Sequence, residues 1–245
     1  MRRVGILGGM GPEATLLIMR KLLDAVPATD DADHIPLIVD QNPQVPSRIR
    51  HILEGTGEDP GPVLAKMAQR LEQAGAMALA LPCNTAHHYA GSIRGAVTIP
   101  FLDMVALSAG HAATLAPRSG RFGILASPAV ARIALFEPVL ARHGLTAVYP
   151  TDQAALLSAI RLIKAEGATA ASRRVVAAAS ADLLERGAVV QMVACTEFSL
   201  VADAVAPGAI TFDSLDRLVG AVVAFAQDVR AGGRNPADNT TGRQA

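Results

Sequence analysis

The sequence contains no tryptophan, aromatic residues make up 3% of it, and only two of its 245 residues are cysteine. So few aromatics leave little on which to stack bases, and 22 Lys+Arg against 22 Asp+Glu give a formal charge of zero. The chain therefore lacks both the basic footprint and the stacking platform of a nucleic-acid binder. No apolar run approaches the ~18–20 residues needed to cross a bilayer. The start, Met1-Arg2-Arg3-Val4-Gly5-Ile6-Leu7-Gly8-Gly9, has a basic head. Glycines interrupt its apolar part after about four residues and no small-residue cleavage site follows, so it reads as a buried first strand rather than a signal. The expectation is a cytoplasmic protein with no nucleic-acid or membrane partner. Two thiols cannot by themselves complete a four-ligand zinc site, and a cytoplasmic chain of this size needs no disulfide. Taken alone, both cysteines suit a buried structural role.

What the chain has in plenty is apolar residues, 51% against 18% charged. That excludes disorder for most of its length, which gives room for one large domain or two lobes of roughly 100–120 residues each. Short apolar runs at 3–7, 36–39, 76–81, 122–126, 147–149 and 189–193 read as strands. Helical patterns fill 12–25, 62–73, 103–116, 130–143, 153–165, 171–186 and 215–230. Strands alternating with helices at this spacing predict a parallel α/β architecture.

A weak internal repeat divides the chain. Arg3-Val4-Gly5-Ile6-Leu7 matches Arg121-Phe122-Gly123-Ile124-Leu125 at an offset of 118 (121 − 3). Further on, Leu81-Pro82-Cys83-Asn84-Thr85 matches Val193-Ala194-Cys195-Thr196-Glu197 at 112 (195 − 83). Self-similarity on this scale indicates two related lobes rather than a solenoid. Residues 1–102 are assigned to the first lobe, with 210–230 returning to it, and 103–209 to the second. Residues 231–245 lack apolar periodicity and read as a disordered tail.

Candidate chemistry gathers at strand ends. Gly8-Gly9-Met10-Gly11-Pro12-Glu13-Ala14-Thr15 follows the first strand, with Pro12 suited to a first helical position and Glu13 to the positive helix end. Its glycines are too closely set for a dinucleotide fingerprint, and no Gly-Lys-Ser/Thr follows for a P-loop. A tight structural turn and a small anion pocket both remain open. Cys83 and Cys195 each stand where a strand ends and a helix would begin, where ligands gather in open parallel sheets. Unpaired backbone N–H groups there favour thiolate, whereas burial in an apolar core would leave the sulfur inert. Two thiols facing each other across a cleft suggest two-base chemistry on one carbon. Arg48 and Lys164 serve either as solvated charges or as holders of an anionic substrate, Arg48 gripping a carboxylate bidentately. His87 and His88 are adjacent and share no helix face, so a joint metal site is not expected.

These residues together resemble the aspartate/glutamate racemase family, and its cofactor-independent aspartate racemase branch more closely. The anchors are residues 8–15, Asn42-Pro43-Gln44-Val45-Pro46-Ser47-Arg48, Pro82-Cys83-Asn84-Thr85-Ala86-His87, Lys164, and Cys195-Thr196-Glu197. The resemblance implies two pseudo-symmetric α/β lobes, each a mainly parallel sheet flanked by helices, with the active site between them. It implies Cys83 and Cys195 as catalytic thiols. Met10, Asn84, Thr85, Thr196 and Glu197 would hold the amino acid, with Arg48 and Lys164 on its side-chain carboxylate. Neither pyridoxal phosphate nor metal is implied, and the partners are a small dicarboxylic amino acid and a second copy in a homodimer. One departure stands at Ser127-Pro128-Ala129-Val130, where relatives run Thr, a variable residue, then Gly-Thr; Ser127 is expected to cap the helix that starts at Pro128. The expected activity is racemisation of aspartate, or of glutamate. A hydantoin racemase, a maleate isomerase, a decarboxylase or a non-catalytic anion binder are the alternatives.

Overall fold

The computed structural model describes residues 1–115 and 120–228; the expected tail at 231–245 and the last residues of the helices expected at 103–116 and 215–230 lie outside them. The chain forms two four-stranded, wholly parallel sheets of the same order. The first contains β1 (Val4–Gly8), β2 (Leu37–Gln41), β3 (Ala78–Ala80) and β4 (Phe101–Leu102), arranged β2-β1-β3-β4. The second contains β5 (Arg121–Ala126), β6 (Thr146–Val148), β7 (Val190–Ala194) and β8 (Ile210–Asp213), arranged β6-β5-β7-β8. Inner strands such as β1 and β7 are buried along their whole length, as expected for strands covered on both faces.

The covering helices are α1 (Pro12–Ala25), α2 (Gly61–Gln73), α3 (Ala90–Arg94) and α4 (Met104–Thr114), followed by α5 (Pro128–Arg132) and α6 (Glu137–Ala141). Then come α7 (Gln153–Glu166), α8 (Ala170–Glu185), α9 (Thr196–Ser199) and α10 (Ser214–Gln227). They enclose a core on each face of each sheet. One cluster joins Leu64, Met67 and Leu71 of α2 to Leu7 and Leu79; its counterpart joins Leu156, Ile160 and Leu183 to Leu125 and Val193. No helix among the described residues is long and apolar enough to cross a membrane.

The repeat is expressed in packing. A Cβ on Gly5 would come within 2.9 Å of Ala76 Cβ and close to Leu79 and Leu71. A Cβ on Gly123 would meet Gln191, Leu183 and Ala188, the same three positions shifted by 112 (183 − 71). Each glycine admits the helix that precedes the thiol-bearing strand, so the two lobes share one seating.

Three local expectations are corrected. The helix expected at 130–143 is two short ones, α5 and α6, because the chain turns at Ala134 with φ 50° and sends Phe136 into the core. The strands β4 and β8 are absent from the sequence-based expectation; both are edge strands, β4 only two residues long and β8 exposed at its first two residues, so neither shows a buried apolar run. The return to the first lobe is expected from 210, but residues 210–213 complete the second sheet as β8, and it is α10 that lies against α1 and α4. Leu215, Leu218 and Val222 of α10 pack with Ile6, Ile18 and Leu22.

Candidate active site

Cys83 lies three residues beyond β3 and Cys195 directly follows β7, so parallel topology brings both to the carboxyl ends of their sheets. Both thiols are free, buried, and line one small cavity of about 40 Å³. Met10, Arg48, Thr85, Lys164 and Glu197 line it with them, as do Ser47, Ile49, Ser127 and Ile160. It adjoins an outer cavity of about 490 Å³, bordered by the start of α1, the 43–48 loop, Thr196 and Leu200. Arg48, Lys164 and Glu197 belong to both cavities, so every charged side chain of the inner one stands at its mouth.

Backbone geometry builds the first wall. Gly9 has φ +92°, and a Cβ there would sit 2.4 Å from the Asn42 carbonyl carbon. Only glycine lets the turn after β1 press against the loop after β2. The Gly9 N–H donates to Thr15 Oγ1 at 2.9 Å, fastening that turn to α1. His87 secures the Cys83 segment: its Nδ1 lies 2.8 Å from the Cys83 carbonyl and its Nε2 accepts the Met104 N–H at 3.1 Å. That pattern fixes a neutral ring with Nδ1 as donor, and burial lowers its pKa.

On the opposite wall Cys195 Sγ donates to Glu197 Oε2 at 3.1 Å, and Lys164 Nζ lies 3.3 Å from Glu197 Oε1. Burial, and then the adjacent Glu197 carboxylate, push the Cys195 thiol well above its ordinary pKa, with Lys164 opposing. Cys195 is thus held as a thiol. Lys164, expected to meet a substrate, is here paired with Glu197. Arg48 makes no ion pair among the described residues; its Nη1 donates to the carbonyls of Val45 and Pro46 at 3.3 and 3.0 Å.

Two of the expected ligands also hydrogen-bond within the protein. Asn84 Nδ2 donates to Ser214 Oγ at 2.9 Å, and Thr196 Oγ1 donates to the Pro82 carbonyl at 3.0 Å. Each ties one thiol segment to an element of the other sheet's chain. Ser127 occupies the cap position before α5 without capping it; its hydroxyl meets Thr85 Oγ1 at 3.1 Å, joining the lobes. Asp213, which the sequence did not single out, is buried beside this junction and caps α10 through the Leu215 N–H at 2.8 Å. Burial raises its pKa to about 6, the nearby Ser199 hydroxyl and the Leu215 N–H opposing. No group of three His, Cys, Asp or Glu side chains among the described residues is placed to hold a metal ion.

Two like-ordered parallel sheets with a free thiol from each at a shared cavity define a class, the two-lobed α/β racemase fold. The family model for Asp/Glu/hydantoin racemases matches residues 7–222, and the chain belongs to that family. An aspartate racemase of Picrophilus torridus superimposes with a TM-score of 0.80 at 25% identity, over 92% of this chain and 94% of that one. Glutamate racemase RacE1 of Bacillus anthracis shares the fold, with a TM-score of 0.64 at 18% identity, over 92% and 82%. The broad-specificity amino-acid racemase RacX of Bacillus subtilis is 32% identical over 106 residues. That match spans 42% of this chain and 45% of RacX, under half of each.

Proposed function

We propose that this protein racemises an acidic amino acid, aspartate before glutamate, by proton transfer between its α-carbon and the two thiols without an organic cofactor. The observation that carries this reading is that Cys83 and Cys195, one from each lobe, line the same cavity beside Arg48 and Lys164. Charge supports the diacid. Arg48 and Lys164 supply two cations for the two carboxylates of an amino acid with an acidic side chain. Arg48 suits the side-chain carboxylate through a two-pronged contact, and Glu197 suits the α-ammonium.

With Cys195 held as a thiol, Cys83 is assigned the role of base, accepting the α-proton in its deprotonated form. Cys195 then delivers its own proton to the opposite face of the planar carbanion. The S–H bond formed at Cys83 balances the one broken at Cys195, and the reverse transfer serves the other enantiomer. Exclusion of water strengthens each electrostatic contact to the developing enediolate.

The test is racemisation in D₂O, with loss of the α-proton followed by NMR, in wild type and in Cys83→Ala and Cys195→Ala. Each variant should lose at least about 100-fold in racemisation, the usual worth of one acid–base group, with circular dichroism unchanged. A variant retaining near-wild-type racemisation would overturn the two-thiol reading. Binding of aspartate by the wild type without exchange would mark a non-catalytic binder.

A further inference from the structure

We propose that Tyr89 and His51 form a latch that positions Arg48, and that this hydrogen bond sets how well the site holds a substrate's second carboxylate. The inference rests on the racemase reading above and names positioning residues that do not touch the substrate.

Arg48 sits in an irregular connection between β2 and α2. Its guanidinium is folded onto the carbonyls of Val45 and Pro46, so wherever the loop goes, the charge goes with it. Three residues on, His51 lies in a π-type turn over Arg50–Glu54, a rare form recurrent at functional sites. The His51 N–H donates to the Ser47 carbonyl at 3.0 Å, which places Arg48 and His51 within one turn. His51 Nδ1 lies 2.7 Å from the Tyr89 hydroxyl. Among the described residues, this is the only side-chain hydrogen bond joining residues 42–57 to the rest of the protein.

The other half of the latch is rigid. Tyr89 closes the single 3₁₀ turn Thr85–Tyr89 that follows Cys83, and its ring packs in the cluster that holds Met10, Val45 and Cys83. Burial, helped by the Asp59 carboxylate and opposed by Arg48, pushes the Tyr89 hydroxyl up to about 12. It therefore stays protonated and keeps its hydrogen bond to His51 Nδ1. The π-type turn also packs against α5 of the second lobe. The latch thus refers Arg48 to the Cys83 segment on one side and to the opposing lobe on the other.

Tyr89→Phe deletes the hydroxyl and keeps the buried ring; His51→Gln keeps a hydrogen-bonding partner for it, donor and acceptor alike. For racemisation of aspartate, Tyr89→Phe should raise KM about tenfold, one charge-assisted contact loosened, and leave kcat within about twofold. The inhibition constant of succinate should rise in parallel. His51→Gln should recover most of the loss seen in His51→Ala. A Tyr89→Phe enzyme with wild-type KM and succinate inhibition, or one in which kcat alone falls, would overturn the latch and leave the racemase reading intact. A wild-type protein that neither turns over nor binds a diacid would overturn that reading first, and the latch with it.

Discussion

Replacing Asp213 with asparagine should remove one component of the pH dependence of stability. Asp213 is 6% exposed, and one of its oxygens, Oδ2, is buried without a hydrogen-bond partner among the described residues. Burial raises its pKa from the ordinary 3.8 to about 6. At ~1.36 kcal/mol per pH unit, that gap is worth about 3 kcal/mol. Between these two values the folded protein holds a proton that the unfolded chain releases. Stability from this group is therefore complete below pH 4, falls as pH rises through 6, and is gone by neutral pH. The substituted side chain would still accept the Leu215 N–H that starts α10, and its amide NH₂, facing the unpartnered position, adds a cost that does not vary with pH. Urea unfolding of both proteins from pH 4 to 7.5 should show the variant gaining about 3 kcal/mol on the wild type across that range. Other titrating groups are common to both and cancel in the difference. A constant difference would refute the assignment of a buried, reluctantly ionised carboxylate at this junction.

Two other perturbations are equally direct. Glu197→Gln removes the carboxylate that accepts from Cys195 and pairs with Lys164, so the thiol should ionise more readily. Alkylation of Cys195 by iodoacetamide, followed by mass spectrometry, should then shift to lower pH; a shift to higher pH or none would contradict the placement. Gly9→Ala forces a side chain into φ +92° and against the Asn42 backbone. It should cost more than about 2 kcal/mol in chemical denaturation, where Gly220→Ala, with open space around it in α10, should be neutral or stabilising.

The lobes were legible because the internal repeat carries matched marks, a glycine in each first strand and a cysteine after each third. Strands buried on both faces are near-continuous apolar runs, so β1, β5 and β7 could be read directly. The break at Ala134 could not, since residues 130–143 keep a helical spacing of apolar residues and only Phe136 entering the core shows the need for a turn. Lys164 and Ile160 lie four apart on α7 and reach the cavity together, a spacing visible in the sequence. Asp213, His51 and Tyr89 left no such trace. Their importance comes from partners 38 residues apart for His51–Tyr89, and from burial for Asp213. Hydrogen bonds to residues distant in sequence were equally invisible: Asn84, Thr196 and Ser127 meet Ser214, Pro82 and Thr85.

The shared strand order has a consequence for where variation can enter. Arg48 lies between β2 and α2, and Lys164 between β6 and α8, so both cations ride on the crossover that leads from an edge strand to an inner one. In the first lobe the charge sits on the loop that precedes α2, in the second on a full helix, α7, that precedes α8. Exchanging only the segment before α2, or only α7, would change a charge at the rim while leaving α2 and α8 on their glycine seats.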